Sequence, residues 1–233
     1  MLQQLLQKYQ YRFHKVVRYD TGKDKLLRMD FTAANTRITE AMLLDTTAFS
    51  AYVSGELQLH AAVYGIGGYD EHRTVYSRSK VFDAPDGQEP RRLHLGIDIW
   101  GKAGTEVSAP LDGRVHSFAF NDQYGDYGAT IILQHDLDGF LFHTLYGHLS
   151  LGDLTSLSEG KEIKAGTCIA HFGVPEENGH WPPHLHFQLV IDMEGMKGDY
   201  PGVCRYSERG KYLSNCPDPD LILQMMKHAV PSL

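Results

Sequence analysis

The stretch Ala129-Thr130-Ile131-Ile132-Leu133-Gln134-His135-Asp136-Leu137-Asp138-Gly139-Phe140-Leu141-Phe142-His143-Thr144-Leu145-Tyr146 holds two runs rich in β-branched, aromatic and other apolar residues on either side of Asp136-Leu137-Asp138-Gly139. Such runs favour strands, and Asp and Gly tolerate the positive φ that a tight turn demands, so the stretch reads as a β-hairpin. Four further runs of the same texture flank it between turn residues: Leu93 to Trp100, Glu106 to Ser108, Arg114 to Phe120 and Leu185 to Ile191. Residues 69–193 are therefore expected to form an antiparallel, sandwich-like β domain, making the chain mainly β.

Outward from this segment the texture changes. In residues 1–68, Phe13-His14-Lys15-Val16-Val17-Arg18-Tyr19 alternates like a strand. Thr46 to Tyr64 places Phe49, Tyr52, Val53, Leu57 and Val63 near helical spacing, with Thr46 or Thr47 as N-cap and Gly65, Gly67 and Gly68 as the stop. Residues 194–233 contain Pro201, Pro217, Pro219 and Pro231, which predicts an irregular tail packed on the domain and ending in a short helix around Leu221 to His228.

Composition narrows the function classes. The chain has 233 residues, 42% of them hydrophobic and 22% charged, with a formal net charge of −7, which is the profile of a globular protein. Without a basic block, a nucleic-acid partner is not expected, because such binding draws on Lys and Arg neutralising phosphates. No apolar run approaches the roughly 20 residues that span a bilayer, so no membrane partner is expected either. Met1-Leu2-Gln3-Gln4-Leu5-Leu6-Gln7-Lys8-Tyr9 lacks the charged start and small-residue cleavage site of a secretory signal, and the expected location is the cytoplasm. Cys168, Cys204 and Cys216 are too few and too uneven for a disulfide framework. Reduced thiols are expected, with Cys204 and Cys216 able to pair only in an oxidising compartment.

Two groups of histidines stand out among the 13 in the chain. In Pro182-Pro183-His184-Leu185-His186-Phe187 the alternation of a strand puts His184 and His186 on one side, roughly 6.6 Å apart at Cα, and turns Leu185 and Phe187 to the core. In His94-Leu95-Gly96-Ile97-Asp98 a His and a carboxylate are four residues apart, roughly 13 Å if extended, whereas zinc lies about 2 Å from each ligand atom. The chain must bend between them, and Gly96 is the natural hinge. Neutral imidazoles and one carboxylate with a coordination position left open are the pattern of a catalytic zinc site, and a further His beside it supplies a base. Spacing alone leaves open which of His184 and His186 binds the metal.

The same residues occur in phrases that together resemble the lysostaphin/LytM-type zinc metallopeptidases. The phrases are His94-Leu95-Gly96-Ile97-Asp98, Gly104-Thr105-Glu106-Val107-Ser108-Ala109-Pro110-Leu111-Asp112-Gly113-Arg114-Val115, Tyr146-Gly147-His148-Leu149 and Pro183-His184-Leu185-His186-Phe187. The resemblance implies Zn2+ held by His94, Asp98 and His186, with His184 and His148 catalytic. It also implies hydrolysis of a peptide bond by a metal-activated water, with a peptide or peptidoglycan cross-link as substrate. His184 would act as the base and His148 would stabilise the oxyanion.

Other residues have less specific readings. Arg73 could receive a substrate carboxylate bidentately, against the commoner fate of a surface ion pair. His180 and Trp181 are candidates for the rim of a substrate site. His116, His135 and His143 are expected to be structural, and His143, of opposite parity to His148, to face the other side of the sheet. The lead into His184, Gly173-Val174-Pro175-Glu176-Glu177-Asn178-Gly179-His180-Trp181-Pro182-Pro183, is bulkier than the glycine-rich lead usual in the family, which predicts a less open groove. Ile66 to Tyr76 and Cys216 to Leu223 resemble a subgroup in which the domain is fused between a kinase-like domain and a class III aminotransferase. That likeness implies the alternative of a cytoplasmic zinc- or ligand-binding module, or a small-amide hydrolase, working with a metabolic partner enzyme.

Overall fold

The computed structural model describes residues 1–85 and 87–231. A nine-stranded sheet organises the chain. From one edge its strands run Glu162–Ile163, Gly113–Asn121, Gly128–Leu137, Phe140–Leu149, His184–Val190, Ile97–Trp100, Ala62–Gly67, Lys25–Met29 and Ala229–Pro231. A two-stranded sheet (Glu106–Ser108 with Cys168–His171) and a three-stranded one (Glu71–His72, Leu93–His94, Val203–Cys204) complete the β structure. Among the described residues no helix is long and apolar enough to cross a membrane.

The hairpin forms as its sequence predicts. Leu137 pairs with Phe140 across Asp138 (φ 54°) and Gly139 (φ 81°), two consecutive left-handed residues whose twist suits a two-residue connection. The six β runs all become strands, with Leu93 to Trp100 split in two.

Several expectations for the flanking segments need correction. Within residues 69–193 every ladder is antiparallel, as expected, and the sheet becomes mixed only through the flanking segments, where Lys25–Met29 runs parallel to both Ala62–Gly67 and Ala229–Pro231. A parallel pair needs a crossover, and the helix Thr46–Leu59 supplies it. That helix is capped by Asp45, whose carboxylate accepts from the amides of Thr47 and Ala48, rather than by Thr46 or Thr47. It also stops before Ala62: residues Ala62 to Tyr64, expected to close the helix, instead open the strand Ala62–Gly67, whose Ile66 and Gly67 pair with Ile99 and Asp98. Finally, Phe13 to Tyr19 joins no ladder, although it exchanges backbone hydrogen bonds with Ser108 and Pro110. The C-terminal segment is likewise more ordered than expected, with helices Arg209–Asn215 and Asp220–Leu223 before the strand Ala229–Pro231.

The central strands are buried on both faces. One face packs Ile66, Ile97, Ile99, Ile131, Leu133, Leu185, Phe187 and Leu189 into the largest apolar cluster. The opposite face carries Trp100, Phe31, Phe49 and Trp181 under the helical segment, and beside them Leu93, Leu95, Tyr127 and Leu145. The polar residues of the site emerge between these last two clusters.

Candidate metal centre and pocket

Two neighbouring strands place the key side chains. His184–Val190 lies antiparallel to Ile97–Trp100 with His184 opposite Trp100 and His186 opposite Asp98, so strand alternation presents all four on one face. Leu185 and Phe187 go to the core, as the sequence requires. The chain bends between His94 and Asp98, passing from the three-stranded to the nine-stranded sheet. Gly96 serves there by close approach: a Cβ would meet His186 Cε1 at 2.5 Å and Nε2 at 2.6 Å.

His94, Asp98 and His186 are brought together and buried. His94 Nε2 lies 3.0 Å from His186 Nδ1 and 3.2 Å from Asp98 Oδ1, and His186 Nδ1 lies 3.0 Å from Asp98 Oδ1. Outer partners set the tautomers. His94 Nδ1 donates to the Gly68 carbonyl at 3.0 Å, and His186 Nε2 donates to Gln188 Oε1 at 2.9 Å. Gln188 is itself oriented, since its amide nitrogen donates to the Pro201 carbonyl at 3.1 Å. Three lone-pair atoms therefore face one another across 3.0–3.2 Å. Ligand atoms about 2.0–2.1 Å from a tetrahedral zinc stand about 3.3 Å apart, so the residues fit that ion. Without a cation between them their mutual repulsion is uncompensated.

His184 and His148 repeat the pattern. Each donates Nδ1–H to a carbonyl at 2.7 Å, His184 to Pro182 and His148 to Asn178, leaving Nε2 bare. Their rings lie 4.1 Å apart at 30°, and His184 stacks on Trp100 at 3.9 Å. His184 Nε2 is 4.0 Å from Asp98 Oδ1. Burial lowers the pKa of His94 and of His184 to about 4, and burial followed by the nearby His184 holds His148 well below the usual histidine range. Burial acts against ionisation of Asp98 as well, but His94 and Arg73 outweigh it and hold the carboxyl well below its ordinary value.

His148 reaches the site through an irregularity. Between Tyr146 and Leu149 the strand has one residue more than its partner, and His148 takes φ 62°. Such a bulge re-aims a side chain. Phe142 and Tyr146 belong to the large core, and strict alternation would send His148 after them. The parity argument for His143 therefore fails. His143 shares the face of Leu145 with the site, lying farther along the strand against His116, with centroids 4.9 Å apart. His135 is a satisfied core residue, bonded to the Asp112 carbonyl at 2.9 Å and Thr144 Oγ1 at 2.7 Å.

Asp98, His148, His184 and His186 open into a pocket of about 120 Å³ whose walls include Tyr76, Tyr127 and Trp181. Trp181 thus lies where the sequence suggested, beside His148 and His184. His180 does not join it: its exposed ring stacks on Tyr124 outside the wall. Arg73 departs further from expectation. It lines the same pocket but forms no surface ion pair: it is 1% exposed, with Nε 2.6 Å from Glu71 Oε2 and Nη1 2.5 Å from Asp98 Oδ2. The lead loop closes on itself through Asn178, whose side chain bonds Gly173 and Trp181 backbone atoms. Gln188, Trp100 and Asn178 were not anticipated as parts of the site. Period two along the strands already marked Gln188 and Trp100, each two residues beyond a ligand.

Residues 92–197 match the model of peptidase family M23. A DD-carboxypeptidase/endopeptidase, Mpg, of Neisseria meningitidis is 32% identical over 132 residues, 54% of this chain and 27% of that protein. An L-Ala–D-Glu endopeptidase of Bacillus subtilis is 28% identical over 149 residues, 62% of this chain and 42% of that protein. The chain thus spans less than half the length of either relative. A solved zinc-containing peptidase from Vibrio cholerae is 26% identical with a TM-score of 0.34, covering 43% of this chain and 28% of that one. Over residues 92–197 the chain is thus similar to peptidase family M23, and it extends beyond that segment on both sides.

Proposed function

We propose that the chain hydrolyses a peptide amide bond with zinc held by His94, Asp98 and His186. The observation that carries the reading is the orientation of four buried imidazoles. Each donates one N–H to an outer acceptor and turns its bare nitrogen inward. Bound there, zinc would supply Lewis acidity, lowering the pKa of water and polarising a carbonyl. His184, whose Nε2 is free and lies toward Asp98, accepts the proton of an attacking water and returns it to the leaving amine. His148, stacked near it, takes a proton from solvent at its bare Nε2 as negative charge develops on the carbonyl oxygen, and donates it in a hydrogen bond to that oxyanion. Trp181 supplies an apolar wall for the substrate. The names of the relatives, a DD-carboxypeptidase/endopeptidase and an L-Ala–D-Glu endopeptidase, point to peptides with D-residues as the first substrates to test.

The test is hydrolysis of cross-linked muropeptides and glycine-rich peptides by the purified chain, with and without a chelator, beside elemental analysis. The expected result is turnover that the chelator abolishes, reduced about 10²–10⁴-fold in His184→Ala while zinc stoichiometry is kept. Absence of metal-dependent turnover on any of these peptides would overturn the proposal.

A further inference from the structure

The two oxygens of Asp98 have different neighbours. Oδ1 faces His94 and His186, whereas Oδ2 accepts from Arg73 Nη1. Arg73 lies outside the segment that matches the family model, and a buried guanidinium is costly unless its charge is met. Here it is met twice, by Asp98 and by Glu71, and the Gly68 carbonyl lies 3.4 Å from Nη2. The sheet makes room for it: Gly67 pairs with Asp98 in register, and a Cβ there would collide with Arg73 Nη2.

We infer that Arg73 is a positioning residue that makes Asp98 a one-oxygen metal ligand. With Oδ2 held by the guanidinium, only Oδ1 is left for the cation. Two imidazoles and a single oxygen then leave a position open for water and substrate. A carboxylate released from Arg73 can turn both oxygens to the metal and crowd that position. Glu71 anchors the far side of the guanidinium and balances its charge. The inference rests on the zinc reading above.

The test uses the full chain loaded with cobalt(II), whose visible bands weaken as coordination number rises. Arg73→Met, shown to be folded by circular dichroism, should give weaker bands than the unmodified chain and turn over about 10–100-fold more slowly at saturating metal. Arg73→Lys, which keeps a cation against Oδ2, should recover most of the band intensity. Where Arg73→Met alone fails to fold, Glu71→Gln/Arg73→Met removes both partners, leaves no orphaned carboxylate at Glu71, and should show the same weakening. A purely structural ion pair would lower stability and leave the cobalt bands unchanged; that result in a folded variant overturns the inference and spares the peptidase reading. Failure of the unmodified chain to bind cobalt or zinc overturns both.

Discussion

His135 in the hairpin and the four histidines of the pocket are buried to a similar degree, but their nitrogens are used differently. His135 has a partner for each: a backbone carbonyl on one side and a hydroxyl on the other. In the pocket, an outer acceptor takes one N–H of each ring, and the remaining nitrogens point at a shared space. Burial alone therefore does not mark a functional histidine. What marks it is a nitrogen left bare by a fixed tautomer, a state that costs free energy unless something outside the chain meets it.

The largest effect that could break this comparison is at the shared space. Asp98→Ala removes one of the three facing atoms and the partner of Arg73. Zinc content should fall to background, and turnover should fall well beyond the roughly 10–100-fold caused by outer-shell losses. Elemental analysis and the peptide assay check both, and full zinc occupancy in this variant would refute the ligand set.

At the hairpin the opposite pattern is expected. His135→Ala strips both hydrogen bonds and leaves a cavity, which should cost about 2–4 kcal/mol in urea denaturation. Zinc stoichiometry should be unchanged. Loss of metal with little loss of stability would reverse the assignment of the two regions.

The smallest effect is a pH dependence. Burial lowers His135, like His94 and His184, to about 4, whereas an unfolded histidine titrates near about 6.5. Between those values the unfolded chain takes up protons that the folded chain refuses. Stability of the metal-free protein is then fully present above about 6.5 and drains away as the pH falls toward about 4. Urea midpoints measured across this window should decline, and less steeply in His135→Asn. A flat profile would mean that these rings are not held neutral.

What the sequence disclosed about the fold and site was set by local chemistry. The Asp138-Gly139 turn, the alternation of His184 through Phe187 and the small residue at Gly96 are each dictated within a few positions. The features that escaped depend on distant partners. Ala62 to Tyr64 continues the helical spacing that begins at Thr46 and lies in a strand because Lys25 and Leu26, far back in the chain, pair with it. Arg73 reads as a surface residue until Asp98, 25 positions away, is seen to hold it. His148 defeats parity because its bulge fits against the Tyr127 carbonyl, which accepts its backbone amide at 2.8 Å.

That bulge gives the strand a phase. Upstream of it, even-numbered residues such as Phe142 and Tyr146 point into the large core; the extra residue advances the count by half a period, and His148 swings to the catalytic side. Ironing out the bulge at constant length, so that the strand alternates without interruption to His148, would leave every chemical group of the site in the chain. The imidazole would then follow Phe142 and Tyr146 to the wrong side of the sheet, so that one backbone irregularity, with no reactive atom of its own, decides whether the two facing histidines meet.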